Sequence, residues 1–273
     1  MNRATLTEQI RTKKSYLCVG LDTDPEKVPR FLQGFADPVF EFNKRIIDAT
    51  HRYCVAYKIN TAFYEVSGAA GWATMQKTAD YIPSTHFKIA DAKRGDIGNT
   101  SSLYARAFFE TLSFDAVTVA PYMGEDSIRP FLDYEDKWTI LLGLTSNVGA
   151  ADFELQGHTE GLLYESVLRK GATWGTIENL MFVIGATQAN WITRIRAITP
   201  DHFYLVPGIG SQGGSLKEIS ERALIQDIGV LVNVSRAIIY AGSGEDFAEK
   251  AGGVASGFAA EMALYVDKKT SFR

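Results

Sequence analysis

The sequence predicts one domain, residues 1–273, that folds as an α/β protein, a (β/α)8 or TIM barrel with a short N-terminal helical extension. Eight short runs rich in β-branched residues recur along the chain, each followed by a segment with a helical pattern. Most runs are continuously apolar, as strands covered on both faces are. Their starts lie roughly 20 to 45 residues apart, which suits right-handed β-α crossovers. Eight even units favour a closed barrel over the alternative, an open doubly wound sheet.

The predicted elements follow one another without an interruption by a linker, an internal repeat or a low-complexity tract. In chain order the predicted strands are Tyr16–Asp22, Cys54–Asn60, His86–Lys93, Ala116–Pro121, Trp138–Ser146, Met181–Thr187, His202–Gly210 and Gly229–Arg236. Helical patterns with a polar face lie between and after them, most clearly at Phe40–His51, Ser101–Leu112, Ala189–Ile198 and Asp246–Val266. Nearly every predicted strand ends in a polar residue or a proline. Because the carboxyl ends of barrel strands build the active site, these ends are the candidate functional positions.

Composition and charge argue against several classes of protein. The formal net charge is −4, so there is no basic field to hold nucleic acid or an anionic membrane. No apolar run approaches the ~20 residues of a membrane helix, and the polar segment Met1–Ser15 does not resemble a signal peptide. Cys18 and Cys54 lie in apolar runs, where reduced core thiols are expected. We therefore expect a cytoplasmic protein.

The densest group of charges begins at the carboxyl end of the third predicted strand, in the sequence Asp91-Ala92-Lys93-Arg94-Gly95-Asp96. Side chains alternate along a strand, so Asp91 and Lys93 share a face. Gly95 permits a turn that carries Asp96 in a new direction. Burying these charges costs free energy, and packing alone would not need charged residues here. A catalytic role for the group is therefore favoured. The alternative is a solvated loop with a chance ion pair.

Three further strand ends carry one candidate catalytic residue, Lys58, and two candidate binding residues, Asp22 and Ser146. Lys58 would point into the barrel mouth beside Asp91, unless it is a strand-end lysine that extends to solvent. Asp22 would bind a sugar hydroxyl or, equally, cap a helix or turn. Ser146 can donate and accept at once, which suits the edge of a nucleobase, but it would also suit a cap.

A phosphate site is predicted after the seventh and eighth strands. The segment that begins at Pro207 and contains Gln212 has four glycines in the seven residues 208–214, so its backbone N–H groups can approach an anion. Arg236 ends the eighth predicted strand, and arginine binds phosphate bidentately. Loops after these two strands form the recurrent phosphate site of such barrels. A phosphate ester is therefore the expected substrate.

The sequence shows no sign of a metal or nucleotide cofactor. His51, His86, His158 and His202 fall away from the predicted mouth, and no His or Cys set has metal-ligand spacing. Neither a Walker loop nor a G-x-G-x-x-G after the first strand is present. We expect catalysis without a metal or cofactor, by lysine and aspartate.

These residues together resemble the orotidine 5′-phosphate decarboxylase family, in particular its longer bacterial branch. The resemblance runs from about Leu17 to Ile239 and rests on the D-x-K-x-x-D-I motif, L-T-S-N, P-G-I-G-S-Q-G-G and the closing arginine. It implies decarboxylation of orotidine 5′-phosphate to uridine 5′-phosphate in pyrimidine biosynthesis, through a carbanion that Lys93 stabilises and protonates.

The resemblance also implies a homodimer with shared active sites. Of the implied catalytic residues, Lys58, Asp91 and Lys93 would come from one subunit and Asp96 from the other, together with Thr100. Lys58 and Asp96 would hold the charged array in place. The implied substrate contacts are ribose hydroxyls at Asp22 and Thr100, the pyrimidine at Ser146, and phosphate at Gln212 and Arg236. Two alternatives stay open, a metal-dependent sugar-phosphate decarboxylase or epimerase of the same superfamily and a non-enzymatic phosphate-ligand sensor.

Overall fold

The eight predicted strands form a closed parallel barrel in the computed structural model, which describes residues 1–210 and 213–270. The barrel strands are β1 (Leu17–Gly20), β2 (Ala56–Asn60), β3 (Phe87–Arg94), β4 (Ala116–Val119), β5 (Trp138–Leu144), β8 (Leu180–Ile184), β9 (Phe203–Pro207) and β10 (Val230–Val234). The ring closes where β1 pairs with β10, with Leu17 opposite Val232. The predicted (β/α)8 barrel is confirmed, and the open-sheet alternative is wrong.

Helices connect the strands and cover the outside of the barrel. They are α1 (Arg3–Lys13), α2 (Pro38–Thr50), α3 (Ala62–Glu65), α4 (Gly68–Tyr81), α5 (Gly98–Arg106), α6 (Glu125–Leu132), α7 (Leu163–Trp174), α8 (Ile192–Ile198), α9 (Leu216–Ala223), α10 (Arg236–Ile239) and α11 (Phe247–Thr270). The connection after β5 also contains a two-residue hairpin, β6 (Gly157–His158) with β7 (Gly161–Leu162). None of the helices in the described part of the chain is long and apolar enough to cross a membrane.

Several predicted boundaries differ from the observed ones. Six of the eight predicted strands extend too far at their carboxyl ends, because the last residues there belong to loops or, as with Arg236, to the next helix. By contrast, β2 ends at Asn60 as predicted, and β3 continues one residue beyond its predicted end, to Arg94. The helix predicted at Ser101–Leu112 begins earlier, at Gly98, and changes to a π-helix at Ala107–Thr111. The helix predicted at Ala189–Ile198 is a 3-10 turn, Ala186–Trp191, followed by α8.

The core is built from strands that are buried on both faces. Every residue of β1, β4, β8 and β10 is buried, which explains why these segments read as apolar runs rather than alternating ones. Large side chains such as Tyr57, Trp138 and Phe182 are fully buried in this core. Each fully buried side chain of this kind stabilises the fold by about 1.5–3 kcal/mol.

The N-terminal helix α1 covers the amino end of the barrel, opposite the predicted mouth. Arg3 donates to the carbonyl oxygens of Ile177 and Asp201 at 2.8 Å each and lies 3.4 Å from Asp227 Oδ2. These partners precede β8, β9 and β10. One guanidinium group therefore joins the starts of three strands.

Candidate active site

Four of the predicted charged residues meet at the carboxyl end of the barrel. Lys58 Nζ donates to Asp91 Oδ2 at 2.8 Å and lies 3.4 Å from Asp22 Oδ1. Lys93 Nζ lies 2.5 Å from Asp91 Oδ1. Lys58 is only 3% exposed, so it is not a lysine that extends to solvent. The charges alternate in sign along the array, which lets Lys58 and Asp91 be buried next to each other, while the Lys93 side chain is half exposed.

The electrostatics of the array keep its central pair ionised. Burial acts to lower the pKa of Lys58, but the carboxylates of Asp22 and Asp91 outweigh burial and raise the pKa. Burial acts to raise the pKa of Asp91, but Lys58 and Lys93 outweigh it and hold this pKa well below its usual range. An ammonium and a carboxylate therefore face each other at neutral pH.

Thr118 on β4 belongs to the same network and was missed by the sequence analysis. Its Oγ1 donates to Asp91 Oδ1 at 3.0 Å and accepts from the backbone N–H of Lys93 at 2.9 Å. Thr118 is a single hydroxyl within an otherwise apolar barrel strand. That isolated polar residue was the available signal, because a buried hydroxyl needs a partner.

The backbone at Lys93 has an unusual conformation. Its φ is 47°, in the left-handed region that residues with a side chain rarely adopt. The pairing of β3 with β4 shifts register between Ala90 and Arg94, as at a β-bulge. Such bulges redirect side chains next to active sites. Here the irregularity lies between Asp91 and Arg94 and includes Lys93.

Arg94 holds this bulge from the outside and was also missed. It donates to the carbonyl oxygen of Ala92 at 2.9 Å and forms an ion pair with Glu65 on α3. Its guanidinium lies 5.5 Å from the ring centre of Tyr104 and 5.6 Å from that of Phe108. These contacts tie the residue after Lys93 to α3 and α5. A sequence pattern alone does not show this partner, because Glu65 is 29 positions away.

Two adjoining cavities open from the charged array and share Lys58, Asp91 and Pro207. The first has a volume of about 230 Å³ and is also lined by Lys93, Ser146 and the apolar side chains of Leu142, Val183 and Leu205. The second has a volume of about 170 Å³ and is also lined by Asp22, Asn233, Ser235 and Arg236. One cavity is thus mainly apolar beside a lysine, and the other is polar with an arginine.

Two predicted site residues, Asp96 and Thr100, are not brought into this array. Asp96 Oδ1 accepts from the N–H of Ile97 at 2.8 Å, and Thr100 is exposed on α5. Neither lines a cavity described above. Gln212 lies outside the described residues. The roles predicted for Asp96 and Thr100 require a second subunit and stay predictions.

The structure bears on whether Asp22 and Ser146 cap a helix or turn, which is the alternative to a role in binding. The 3-10 helix after β1 is capped by Asp24, whose Oδ1 accepts from Glu26 N at 3.0 Å, whereas Asp22 faces Lys58. Ser146 lines the first cavity, and the following 3-10 turn has Asn147 at its N-cap position.

The histidines and possible metal ligands lie elsewhere. None of the four histidines lines either cavity in the described part of the chain. Within residues 1–210 and 213–270, no group of three or more His, Cys, Asp or Glu residues could hold a metal ion.

Comparison with known proteins gives one consistent result. Residues 15–251 match the model of the orotidine 5′-phosphate decarboxylase / HUMPS family. Orotidine 5′-phosphate decarboxylase of Phocaeicola vulgatus is 57% identical over 266 residues, which cover 96% of this chain and 98% of the relative. The enzyme of the same name from Flavobacterium johnsoniae is 56% identical over 272 residues, covering 98% and 100%.

A solved structure agrees with the sequence relatives. Leishmania donovani OMP decarboxylase superposes with a TM-score of 0.81 at 37% identity, covering 95% of this chain and 99% of that one. The likeness thus extends over almost the full length of both chains and includes the barrel and its mouth.

Proposed function

This chain belongs to the orotidine 5′-phosphate decarboxylase family, and we propose that it uses Lys93 to convert orotidine 5′-phosphate to uridine 5′-phosphate and CO2. The enzyme is a carboxy-lyase of pyrimidine biosynthesis, as its close relatives are named. The observation that carries the proposed mechanism is the array of Asp22, Lys58, Asp91 and Lys93 between the two cavities. It places a cation beside a cavity that suits a flat ring.

The two cavities suit the two ends of the substrate. The pyrimidine fits the first cavity, where Leu142, Val183 and Leu205 offer apolar surface and Ser146 can hydrogen-bond the ring edge. The phosphate fits the second cavity, where Arg236 provides a fork of N–H donors. The ribose would then lie between them.

The contacts at the junction of the cavities suit the ribose. Lys58 lines both cavities, and Asp22, whose Oδ1 lies 3.4 Å from Lys58 Nζ, lines the second. A carboxylate accepts from a sugar hydroxyl and an ammonium donates to one. Binding at the phosphate and ribose, away from the reacting carbon, supplies energy that the enzyme can use to orient the pyrimidine and exclude water.

The chemical step needs a cation and an acid at one place. Cleavage of the bond between the ring carbon and its carboxylate releases CO2 and leaves the electron pair on that carbon, in the plane of the ring. No π-system shares this charge, so the ammonium of Lys93 would stabilise it electrostatically. Lys93 then transfers a proton to the carbon and regains one from solvent. The carboxylate of Asp91 would lie near the departing carboxylate, and their repulsion would be relieved as CO2 leaves.

We also propose that the enzyme is a homodimer with composite sites. Large apolar side chains are exposed on the loops after β2, β3 and β4, including Val66 at 77%, Ile97 at 61% and Tyr122 at 91% exposure. These strands are neighbours in the barrel, so their loops share one side of the mouth. An exposed apolar surface of this kind is typical of an interface. Asp96 and Thr100 lie on the same segment, from which they would reach a partner's cavity.

We further place the enzyme in the cytoplasm. Cys18 and Cys54 are both free and buried, in keeping with a reducing compartment. The negative net charge supports a small-molecule substrate rather than nucleic acid as the partner.

The decisive experiment follows the ultraviolet absorbance of orotidine 5′-phosphate after addition of the purified protein, with and without exhaustive chelation. We expect equal turnover in both conditions, because lysines provide the positive charge. The Lys93→Ala variant should be nearly inactive and equally stable. If chelation abolishes turnover and Mg²⁺ restores it, the metal-dependent sugar-phosphate chemistry would be favoured instead.

A further inference from the structure

The last barrel strand and the residue that follows it carry two buried side-chain oxygens that lack a hydrogen-bond partner in the described part of the chain. They are Asn233 Oδ1 and Ser235 Oγ. Asn233 is only 6% exposed and is the single polar residue in the strand Val230–Val234. Both residues line the second cavity, together with Arg236.

Such groups are uncommon in folded proteins, since a buried polar atom usually has a partner. Leaving the atom without one costs free energy that an apolar residue of the same shape would not cost. In the register of the barrel, Asn233 lies opposite Cys18 on β1 and Pro207 on β9. A valine or leucine there would continue the apolar strand. The asparagine therefore has no explanation in packing alone.

The two oxygens face the same small space beside Gly20 on β1. A β-carbon added to Gly20 would lie 3.1 Å from Asn233 Oδ1 and 3.1 Å from Ser235 Oγ. It would also lie 2.7 Å from Ser235 Cβ, a contact too close to tolerate. Gly20 thus lets Asn233 and Ser235, which line the second cavity, pack closely against β1, where an added methyl group would not fit.

We infer that Asn233 and Ser235 hydrogen-bond the ribose-phosphate part of the substrate and so complete the second cavity. This inference rests on the proposed function, which puts the ribose and phosphate there. Asn233 lies in β10, three positions before Arg236, which begins α10. Its amide contacts the ribose side, and the Ser235 hydroxyl contacts the phosphate side. Rotation of the amide lets it offer an oxygen or a nitrogen to the ligand.

The inference predicts that stability and activity respond in opposite ways to one substitution. Asn233→Leu removes a polar atom that has no partner in the free enzyme, so the Tm of the free enzyme should stay the same or rise. The kcat/KM for orotidine 5′-phosphate should fall roughly tenfold or more, as for loss of a hydrogen bond to a charged or strongly polar ligand. The rise in Tm caused by saturating uridine 5′-phosphate should shrink in parallel.

Asn43 on α2 offers a matched control. It is fully buried, but its side chain bonds Thr23, Tyr64 and Thr78 at 2.6, 2.9 and 3.1 Å. Asn43→Leu should therefore lower Tm, because three partners lose their bonds. Ser235→Ala, which removes a single oxygen, provides a second variant that should leave Tm unchanged and lower kcat/KM severalfold.

The experiment compares wild type, Asn233→Leu, Ser235→Ala and Asn43→Leu by thermal unfolding with and without uridine 5′-phosphate, and by steady-state kinetics. The inference is overturned if Asn233→Leu and Ser235→Ala keep the wild-type kcat/KM and nucleotide-induced rise in Tm. Turnover by the wild type is measured first. Its absence would count against the proposed function, whereas wild-type turnover with unaffected variants would count against this inference alone.

Discussion

Lys58 shows how a single buried charge can support both the fold and the site. Its ammonium contacts Asp91 and Asp22 and is almost fully buried. Removing one member of a buried pair leaves the partner charge without compensation. In this array the loss of stability is smaller, because Lys93 still contacts Asp91.

We predict that Lys58→Met lowers the free energy of unfolding on the order of 3 kcal/mol and greatly lowers kcat/KM. The pKa of Asp91 should rise, so the acid limb of the pH-rate profile should move to higher pH. Denaturant unfolding and a pH-rate profile measure these effects. Lys14→Met is the control, since Lys14 forms an exposed pair with Asp267 and should change stability by less than about 1 kcal/mol. Equal effects of the two substitutions would contradict the prediction.

His202, at the other end of the barrel, makes the stability of the fold depend on pH. Burial, with Arg3 and Arg196 nearby, lowers the pKa of His202 to about 4, and Asp201 offsets this only in part. In the unfolded chain the pKa is about 6.5, so the unfolded state binds the proton first as the pH falls. The contribution of neutral His202 to the free energy of unfolding is complete above about pH 6.5 and decreases toward pH 4. The loss should be about 2 kcal/mol between pH 8 and pH 5.

We predict that His202→Leu makes unfolding less sensitive to pH between 8 and 5. The slope should not vanish, because burial also lowers the pKa of His86 to about 4. Urea unfolding at several pH values measures the change. The exposed His158→Leu variant should behave as the wild type does. An unchanged slope in His202→Leu would show that His202 does not couple proton binding to folding.

At the scale of elements, the bulge at the end of β3 is the feature on which the site depends. Lys93 adopts its left-handed conformation between two anchors, the Thr118 hydroxyl and the Arg94 ion pair with Glu65. A strained backbone of this kind persists only when its surroundings hold it. Loosening an anchor should move the ammonium without removing it.

We predict that Arg94→Lys lowers kcat roughly tenfold or more with little change in KM, since it loses the planar fork that joins Ala92 and Glu65. Glu65→Gln should have a smaller effect in the same direction. Steady-state kinetics and thermal unfolding separate this loss from unfolding. Arg129→Lys is the control, because Arg129 also combines an ion pair, with Glu125, and a carbonyl contact far from Lys93. If Arg94→Lys lowers Tm but leaves kcat unchanged, Arg94 stabilises the fold and does not position Lys93.

The elements also show what sequence alone can predict. The eight strands were recognisable because burial on both faces produces continuous apolar runs, and the strand-end rule led to Asp22, Lys58, Asp91 and Lys93. The bulge and the π-helix were not recognisable, because both depend on how neighbouring elements are aligned. The sequence does not single out Asn233 for a related reason. That its side-chain oxygen lacks a hydrogen-bond partner is visible only in the closed barrel.

For the whole molecule, the composite site makes a prediction about assembly. Lys93→Ala and Asp96→Ala should each be nearly inactive as homodimers. In a mixed dimer one site carries both changes and the other carries neither, because a two-fold interface is reciprocal. Random assortment makes about half of the dimers mixed, so activity should recover to about a quarter of the wild-type value per site.

Subunit exchange must be verified independently, for example with subunits of different size. Mixing Lys93→Ala with Asp91→Ala is the control, because both changes fall in the same subunit's array and no intact site can form. If the first mixture stays inactive after exchange, Asp96 acts within its own subunit and the composite site is wrong.

The closure of the barrel between β1 and β10 also has a consequence for synthesis on the ribosome. Leu17 pairs with Val232, so one edge of the first strand has no partner until more than two hundred further residues have been made. The starts of β8, β9 and β10, which Arg3 joins, likewise appear long after α1. A nascent chain thus exposes an open strand edge, which favours wrong pairing and aggregation. Slow translation would prolong this exposure, and chaperones that cover strand edges would be most useful before the last strand emerges.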